Sequence, residues 1–319
     1  MAAEKDPLVS TLHDARSHFL ELVAELRPDL HRYCARMTGS VADGEDIVQE
    51  TLARAYYALA ELEAVPPLRP WLFQIAHNRA LDYLRRYDRR MGQPLDASGD
   101  SPSGEADDPE ELLARDEATR AAISRFSELV PVQRSSVILK DVLGHSVEEI
   151  AALLELSVPA VKAALHRGRE RLRVLAESAP REAMSAPPPT SPAIARYVAL
   201  FNAREWDTVR AMLADDVRLD LVSRFQRSGR RDVSAYFTNY DRFHDWHLVP
   251  AWLDGAEVVA VFRNPDDTRA SYFVELTMRD RFIVQIKDFR YVPYILADIS
   301  TRLAIPERDV DPDGSRSSR

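Results

Sequence analysis

A chain of 319 residues is longer than one average domain and fits two or three compact units. Its 45% hydrophobic and 29% charged residues supply enough apolar side chains for real cores, which excludes a wholly disordered protein. A net charge of -9 argues against nucleic-acid binding by the whole surface, since phosphate contacts need Lys and Arg; such binding requires local sorting of charge.

Met1 to Leu8 carries Glu4, Lys5 and Asp6 where a secretion signal needs an apolar core, and no apolar run approaches the ~18 residues that span a bilayer. A cytoplasmic chain without a membrane segment is expected. Cys34 has no cysteine to pair with, and no Cys/His cluster has zinc spacing, so no disulfide, metal or other cofactor is expected.

The first segment, residues 1–92, is helical by pattern. A helix from about Asp43 to Ala60 buries Ile47, Val48, Thr51, Leu52, Ala55, Tyr56 and Leu59. Its acidic face, Asp43, Glu45, Asp46, Gln49 and Glu50, is explained most simply as a solvated helix start favoured by the dipole. Between Pro70 and Tyr87, Leu72, Ile75, Ala76, Ala80, Tyr83, Leu84 and Tyr87 recur at helical spacing and leave His77, Asn78, Asp82, Arg85, Arg86 and Arg89 on other faces. Residues 93–111 follow, with three prolines, two glycines, three serines, several acids and no base; that composition reads as a flexible acidic linker.

Residues 112–178 are again helical. Pro131 opens a helix, Gly144 ends it, and Ser146 with Glu149 forms a capping-box pattern that starts the next. Ser157 caps a further helix reaching Leu175, which completes a helix-turn-helix. Ile150, Leu154, Val161 and Leu165 supply the core of that pair, and small Ala151 lets the helices approach. Residues 179–192, with Pro187-Pro188-Pro189, read as a semi-stiff spacer.

Residues 193–305 change character. Two short helical patterns, Ala193 to Ala203 and Trp206 to Leu213, precede an alternating strand at Val217 to Val222. Apolar runs at Trp246 to Leu253, Ala256 to Arg263, Ala270 to Met278 and Phe282 to Tyr291 are separated by turn chemistry, so an antiparallel meander in an α+β domain is expected. Residues 306–319 read as a frayed tail.

Two stretches carry chemistry. Lys162, His166, Arg167, Arg169, Arg171 and Arg173 make the second helix of the helix-turn-helix basic. Its first turns suit the major groove, with Lys162, Ala163 and His166 near base edges and the arginines mostly on phosphate; a solvated basic helix is the plain alternative. In the other, Trp71-Leu-Phe-Gln-Ile-Ala-His-Asn-Arg-Ala-Leu-Asp-Tyr-Leu-Arg-Arg86, aromatic residues beside Asn78 and an arginine cluster suit a melted strand, although aromatics at helical spacing also serve as core.

Taken together, Asp43-Gly-Glu-Asp-Ile-Val-Gln-Glu-Thr, the Trp71 stretch and the helix-turn-helix ending His166-Arg-Gly-Arg-Glu-Arg-Leu closely resemble the extracytoplasmic-function sigma factors of bacterial RNA polymerase, over roughly Arg27 to Leu175. The resemblance implies two all-α sigma domains and a non-enzymatic protein whose partners are core RNA polymerase and promoter DNA. It implies polymerase contacts at Asp43, Asp46, Gln49 and Glu50. It places Trp71, Asn78, Arg79, Arg85, Arg86 and Arg89 at the -10 strand, with Asn78 beside a captured base, and Ser157, Lys162, Ala163, His166, Arg167 and Arg169 at the -35 element. The acidic linker threads toward the RNA exit path in that family. Two departures stand out. Glu155 occupies a turn position where the family usually has glycine, so the turn is either left-handed, at ~1 kcal/mol, or different. Ala64 to Pro70 is proline-rich where the family's loop beside the base pocket is polar and aromatic.

Residues 193–305 resemble the SnoaL-like members of the nuclear-transport-factor fold, through Arg196-Tyr-Val-Ala-Leu-Phe-Asn-Ala-Arg-Glu-Trp-Asp207 and Met212-Leu-Ala-Asp-Asp-Val-Arg-Leu219. In sigma factors such a domain implies regulation from within, through an unidentified small molecule or protein regulator. His244, Asp245, His247, Asp220, Asp254 and Asp288 are the residue types that cyclases of this fold use for proton transfer, but their spacing fixes no geometry. A polymerase-independent helix-turn-helix regulator and a cyclase with incidental DNA motifs are the rival readings.

Overall fold

The computed structural model describes residues 7–59, 61, 66–91, 123–178, 189–242, 245–253, 255–299 and 303–305, with side chains omitted at 7–18, 20, 88–91 and 178. The acidic linker at 93–111, the tail at 306–319 and most of the spacer at 179–192 lie outside the described residues. The chain divides into two compact units, Met1–Ala183 and Met184–Arg319.

In the first unit, helix α1 (Pro7–Thr38) ends at Gly39, whose positive φ of 78° turns the chain into α2 (Val41–Leu59). Gly44 is required there, because a Cβ on it would overlap the Ala35 backbone of α1. Helix α3 (Leu68–Met91) follows, then a 3₁₀ turn at Ile123–Glu128 and α4 (Pro131–Val137), which widens into a π turn over Ile138–Val142. Both halves of the Ser146–Glu149 capping box are formed at the start of α5 (Val147–Leu154). Glu155 then takes the left-handed conformation, φ 57° and ψ 41°, before α6 (Val158–Ser178). Glutamate thus does what glycine would do more cheaply.

The burial pattern corrects two details: Tyr56 and Tyr87, read as core, are 38% and 50% exposed. Phe73, absent from the apolar stripe read in α3, is fully buried. It also explains a larger difference. The two helical segments read as separate modules share one apolar cluster, in which Tyr33, Met37 and Phe73 pack with Phe126, Val137 and Ile138. Phe73 meets Tyr33 edge-on at 5.8 Å and His145 edge-on at 5.4 Å, so one side chain of α3 serves both sides of the seam. Arg134 of α4, itself buried, donates to the carbonyl of Met37 in α1 and to the Leu129 carbonyl at 2.8 Å.

The second unit is α+β: α7 (Pro192–Asn202), α8 (Trp206–Ala211), β1 (Leu213–Leu221), β2 (Phe225–Ser228), α9 (Arg230–Asp241), β3 (His247–Leu253), β4 (Ala256–Phe262), β5 (Tyr272–Arg279), β6 (Phe282–Asp288), α10 (Pro293–Ile299) and β7 (Leu303–Ala304). The seven strands lie in the order β2-β1-β6-β5-β4-β3-β7. This is the architecture that the SnoaL-like resemblance implies, with one correction to the strand pairing. The meander β3 to β6 is antiparallel as expected, but β1 pairs with β6 in parallel, with Leu221 opposite Asp288. A parallel neighbour needs a long crossover, and the chain between β1 and β6 supplies it. Within that crossover α9 was not anticipated; Val233, Tyr236, Phe237 and Tyr240 carry its helical spacing. Helices α7 to α9 cover one sheet face, while Phe273 and Phe289 stack at 4.2 Å outside that cluster.

Candidate nucleic-acid interface

Three surfaces hold the predicted site residues of the first unit. On α2 the acidic face divides. Glu45 is 1% exposed and paired with Arg27, which joins α2 to α1. Asp43, Asp46 and Glu50 recur at helical spacing on one stripe, with Gln49 beside it. Glu50 is exposed and the other three are half-buried. Asp43 sits at the helix start, where the Ser40 hydroxyl caps its backbone N–H at 3.2 Å. Burial, and then the Asp43 carboxylate close by, push the Tyr83 hydroxyl of α3 above its ordinary pKa, so the stripe borders α3.

On α3, Trp71, Asn78 and Arg85 recur every seven residues and share one stripe. Trp71 is half-buried against the core, whereas Asn78, Arg85 and Arg86 are exposed. Asp82 was not singled out from sequence, yet it organises this surface. It pairs with Arg79, lies 3.7 Å from Arg85, and accepts a 3.3 Å hydrogen bond from Arg86 Nε at its carbonyl. Sequence spacing places Asp82 one turn from each arginine, and that i, i+3 and i, i+4 relation was the signal available. The Arg89 side chain lies outside the described residues.

On α6, the Ser157 hydroxyl accepts from the Ala160 N–H at 3.3 Å, which starts the helix as its sequence requires. Lys162, His166 and Arg167 are exposed and Ala163 is half-buried between them. Arg169 differs from these. Its guanidinium makes a two-pronged pair with Asp141, at 3.0 and 2.7 Å, and Asp141 is 1% exposed. That geometry is the strong form of a charge-assisted pair and commits Arg169 to fixing α6 on the π turn; it is not extended outward as the basic-helix reading supposed. Arg171 lies 3.7 Å from Glu128, and Arg173 pairs with Glu170 and Glu177 at 2.7 Å each. Lys162 and Arg167 thus lie exposed in the first half of α6, whereas Arg171 and Arg173 sit among acids. Gly168 keeps α6 close to α4, since a Cβ would stand 2.7 Å from Val137 Cγ2.

The α3 and helix-turn-helix surfaces also touch: Gln74 Nε2 donates to Glu155 Oε1 at 3.3 Å.

In the second unit, His244 and Asp254 lie outside the described residues. The others do not converge. Asp220 and Asp288 project from opposite sheet faces, because Leu221, not Asp220, stands opposite Asp288. Asp245 lies 3.4 Å from Arg263, and His247 begins β3. Asp288 is 1% exposed and accepts from the Tyr236 hydroxyl at 2.7 Å. Burial raises its pKa, against the opposing pull of that hydrogen bond. Among the described residues, no group of three or more His, Cys, Asp or Glu could hold a metal ion, and no helix is long and apolar enough to cross a membrane.

Comparison with known proteins bears on the same residues. The family model for Sigma-70 region 2 matches residues 22–90, and that for Sigma-70, region 4 matches residues 120–172. The chain is similar to the ECF RNA polymerase sigma factor SigG of Mycobacterium tuberculosis, 33% identical over an alignment of 217 residues that covers 61% of this chain and 58% of that one. It thus spans little more than half the length of that relative. It is also similar to the ECF RNA polymerase sigma factor SigW of Bacillus subtilis, 30% identical over 164 residues, covering 49% of this chain and 87% of that one. Among solved structures, the extracytoplasmic function sigma factor SigJ of Mycobacterium tuberculosis aligns over 84% of this chain and 94% of its own, at 23% identity and a TM-score of 0.34.

Proposed function

This chain belongs to the extracytoplasmic-function sigma factors, and from that premise we propose that it binds core RNA polymerase and directs promoter-specific initiation, with its C-terminal unit adjusting that activity. Asp43, Asp46, Gln49 and Glu50 dock on the polymerase. Asn78 holds a base of the melted -10 strand, with Trp71 beneath it and Arg79, Arg85, Arg86 and Arg89 along the backbone. Lys162, Ala163, His166 and Arg167 read the -35 element from the N-terminal half of α6, which Ser157 caps and Arg169 holds in place.

The observation that carries this reading is the distribution of charge. In a chain of net charge -9, exposed cations gather on one face of α3 and on the first half of α6, and an acidic stripe on α2 precedes both in sequence. Basic patches on two small surfaces suit a protein that meets DNA only when mounted on a larger machine.

The Gln74–Glu155 contact adds a condition. Elements named -10 and -35 are about 25 base pairs apart, or ~85 Å at ~3.4 Å per pair. Helix α3, with 24 residues, is only ~36 Å long at ~1.5 Å per residue. Two readers in side-chain contact therefore cannot occupy both elements at once. The arrangement described is a closed form of the free chain, polymerase binding separates the readers, and the free protein binds promoter duplex poorly. A small molecule or protein acting on the C-terminal unit shifts the balance between closed and open forms.

Reconstituted transcription with core polymerase tests the reading. Initiation that depends on the added chain, and changes when the chain is cut after residue 183, supports it. A chain that neither associates with core enzyme nor permits initiation refutes the first part. Identical activity of full-length and cut chains, both basal and stimulated, refutes the second.

A further inference from the structure

Arg290 follows β6 and stands over the Trp246 indole at 4.7 Å and over the Tyr272 ring at 5.9 Å. It is half-buried, and among the described residues its guanidinium has no hydrogen-bond acceptor and no ion-pair partner. Arg263 shares the same indole, at 4.8 Å, but has Asp245 at 3.4 Å. Asp288, the carboxylate nearest to Arg290 in sequence, feels its charge but makes no ion pair with it: one oxygen accepts the Arg290 backbone N–H at 2.9 Å and the other accepts from Tyr236 and Tyr240, at 2.7 and 3.4 Å. A planar fork of five donors is thus held against an aromatic wall without an acceptor among the described residues, and such a fork matches the two oxygens of a carboxylate.

Beside this cation a chain of hydroxyls begins. Tyr272 Oη lies 2.8 Å from Tyr240 Oη, which lies 2.9 Å from Tyr236 Oη, and that hydroxyl donates to buried Asp288. With Asp288 ionised, each hydroxyl donates inward. Tyr272, at the end of the chain away from Asp288 and itself only 3% exposed, then keeps a lone pair on its oxygen for a donor arriving from the Arg290 side. Tyr291, next to Arg290 and 41% exposed, marks the solvent side of this group.

We propose that Arg290 and Tyr272 form a binding site in the C-terminal unit for a small hydroxylated organic carboxylate, Arg290 taking the carboxylate and Tyr272 accepting from the ligand hydroxyl. The site stands independently of the sigma-factor reading, since ligand binding needs no polymerase.

The test is ligand-detected binding to the full-length chain with 3-hydroxybenzoate, benzoate and 3-hydroxybenzamide as probes. The hydroxy acid binds with millimolar or tighter affinity and the amide at least tenfold more weakly. Arg290→Gln weakens the acid at least tenfold without changing the amide. Tyr272→Phe keeps the ring and abolishes the preference for 3-hydroxybenzoate over benzoate, so the site is read even if the arginine variant misfolds. Equal binding of acid and amide, no binding of either acid, or unchanged binding by both variants overturns the proposal.

Discussion

Nδ1 of His77 lies 2.7 Å from the Tyr33 hydroxyl, and Ser135 Oγ lies 3.3 Å from the same hydroxyl. One tyrosine of α1 thereby joins α3 to α4 across the seam between the two helical segments. Burial pushes the Tyr33 hydroxyl well above its ordinary pKa, so it stays protonated; it donates to Ser135 Oγ and meets Nδ1 of a neutral His77.

A pH dependence follows from the burial of His77. Burial lowers the His77 pKa from 6.5 to about 4. The unfolded chain therefore takes up this proton before the folded chain does. The contribution of a neutral His77 is complete above pH ~6.5 and is lost as pH falls toward ~4. His145, also held down chiefly by burial, acts in the same direction. Thermal melts across this range should show a falling midpoint in the wild type and a flatter profile in His77→Gln. Identical slopes refute the assignment.

Arg169 and Lys162 separate structure from recognition on one helix. Arg169→Ala removes the two-pronged pair from buried Asp141 and should cost about 3 kcal/mol or more in denaturant unfolding. Lys162→Ala should leave stability within about 0.5 kcal/mol and reduce initiation at a chosen promoter. If the Arg169 variant is as stable as wild type, the two-pronged pair is not what fixes α6.

Gly168→Ala forces a Cβ toward Val137, 2.7 Å from its Cγ2, so α6 must move off α4 or Val137 must change rotamer. A destabilisation of about 1–3 kcal/mol is expected from overpacking of this kind, measured by chemical denaturation. Gly44→Ala should cost more, because the obstruction there is the Ala35 backbone and not a flexible side chain.

Locking the Gln74–Glu155 contact tests the closed form. The native thiol, Cys34, is buried, so cysteines placed at 74 and 155 can be joined by a short flexible cross-linker without competition. The cross-linked chain should still bind core polymerase through α2 but lose initiation, and a cleavable linker should restore it. Full initiation by the cross-linked chain would show that the readers need not part.

What the sequence alone settled was local. Apolar spacing revealed α2 and α3, and Ser146, Glu149 and Ser157 announced α5 and α6 because a cap and its partner are three residues apart. Turn residues separated β3 to β6 because hairpins close between neighbours in the chain. Tertiary structure alone decided which cations are drawn into the fold. Arg167 and Arg169 look alike in sequence, yet Arg167 is exposed while the position of Asp141, 28 residues earlier, holds Arg169 in a two-pronged pair. The same holds for the seam that joins Tyr33 to Ser135 across 102 residues, and for the parallel entry of β1 beside β6 that sets Asp288 under the tyrosines of α9. Such pairings depend on how distant segments bury their apolar faces together, and the spacing of residues along one segment carries no record of the segment that will cover it.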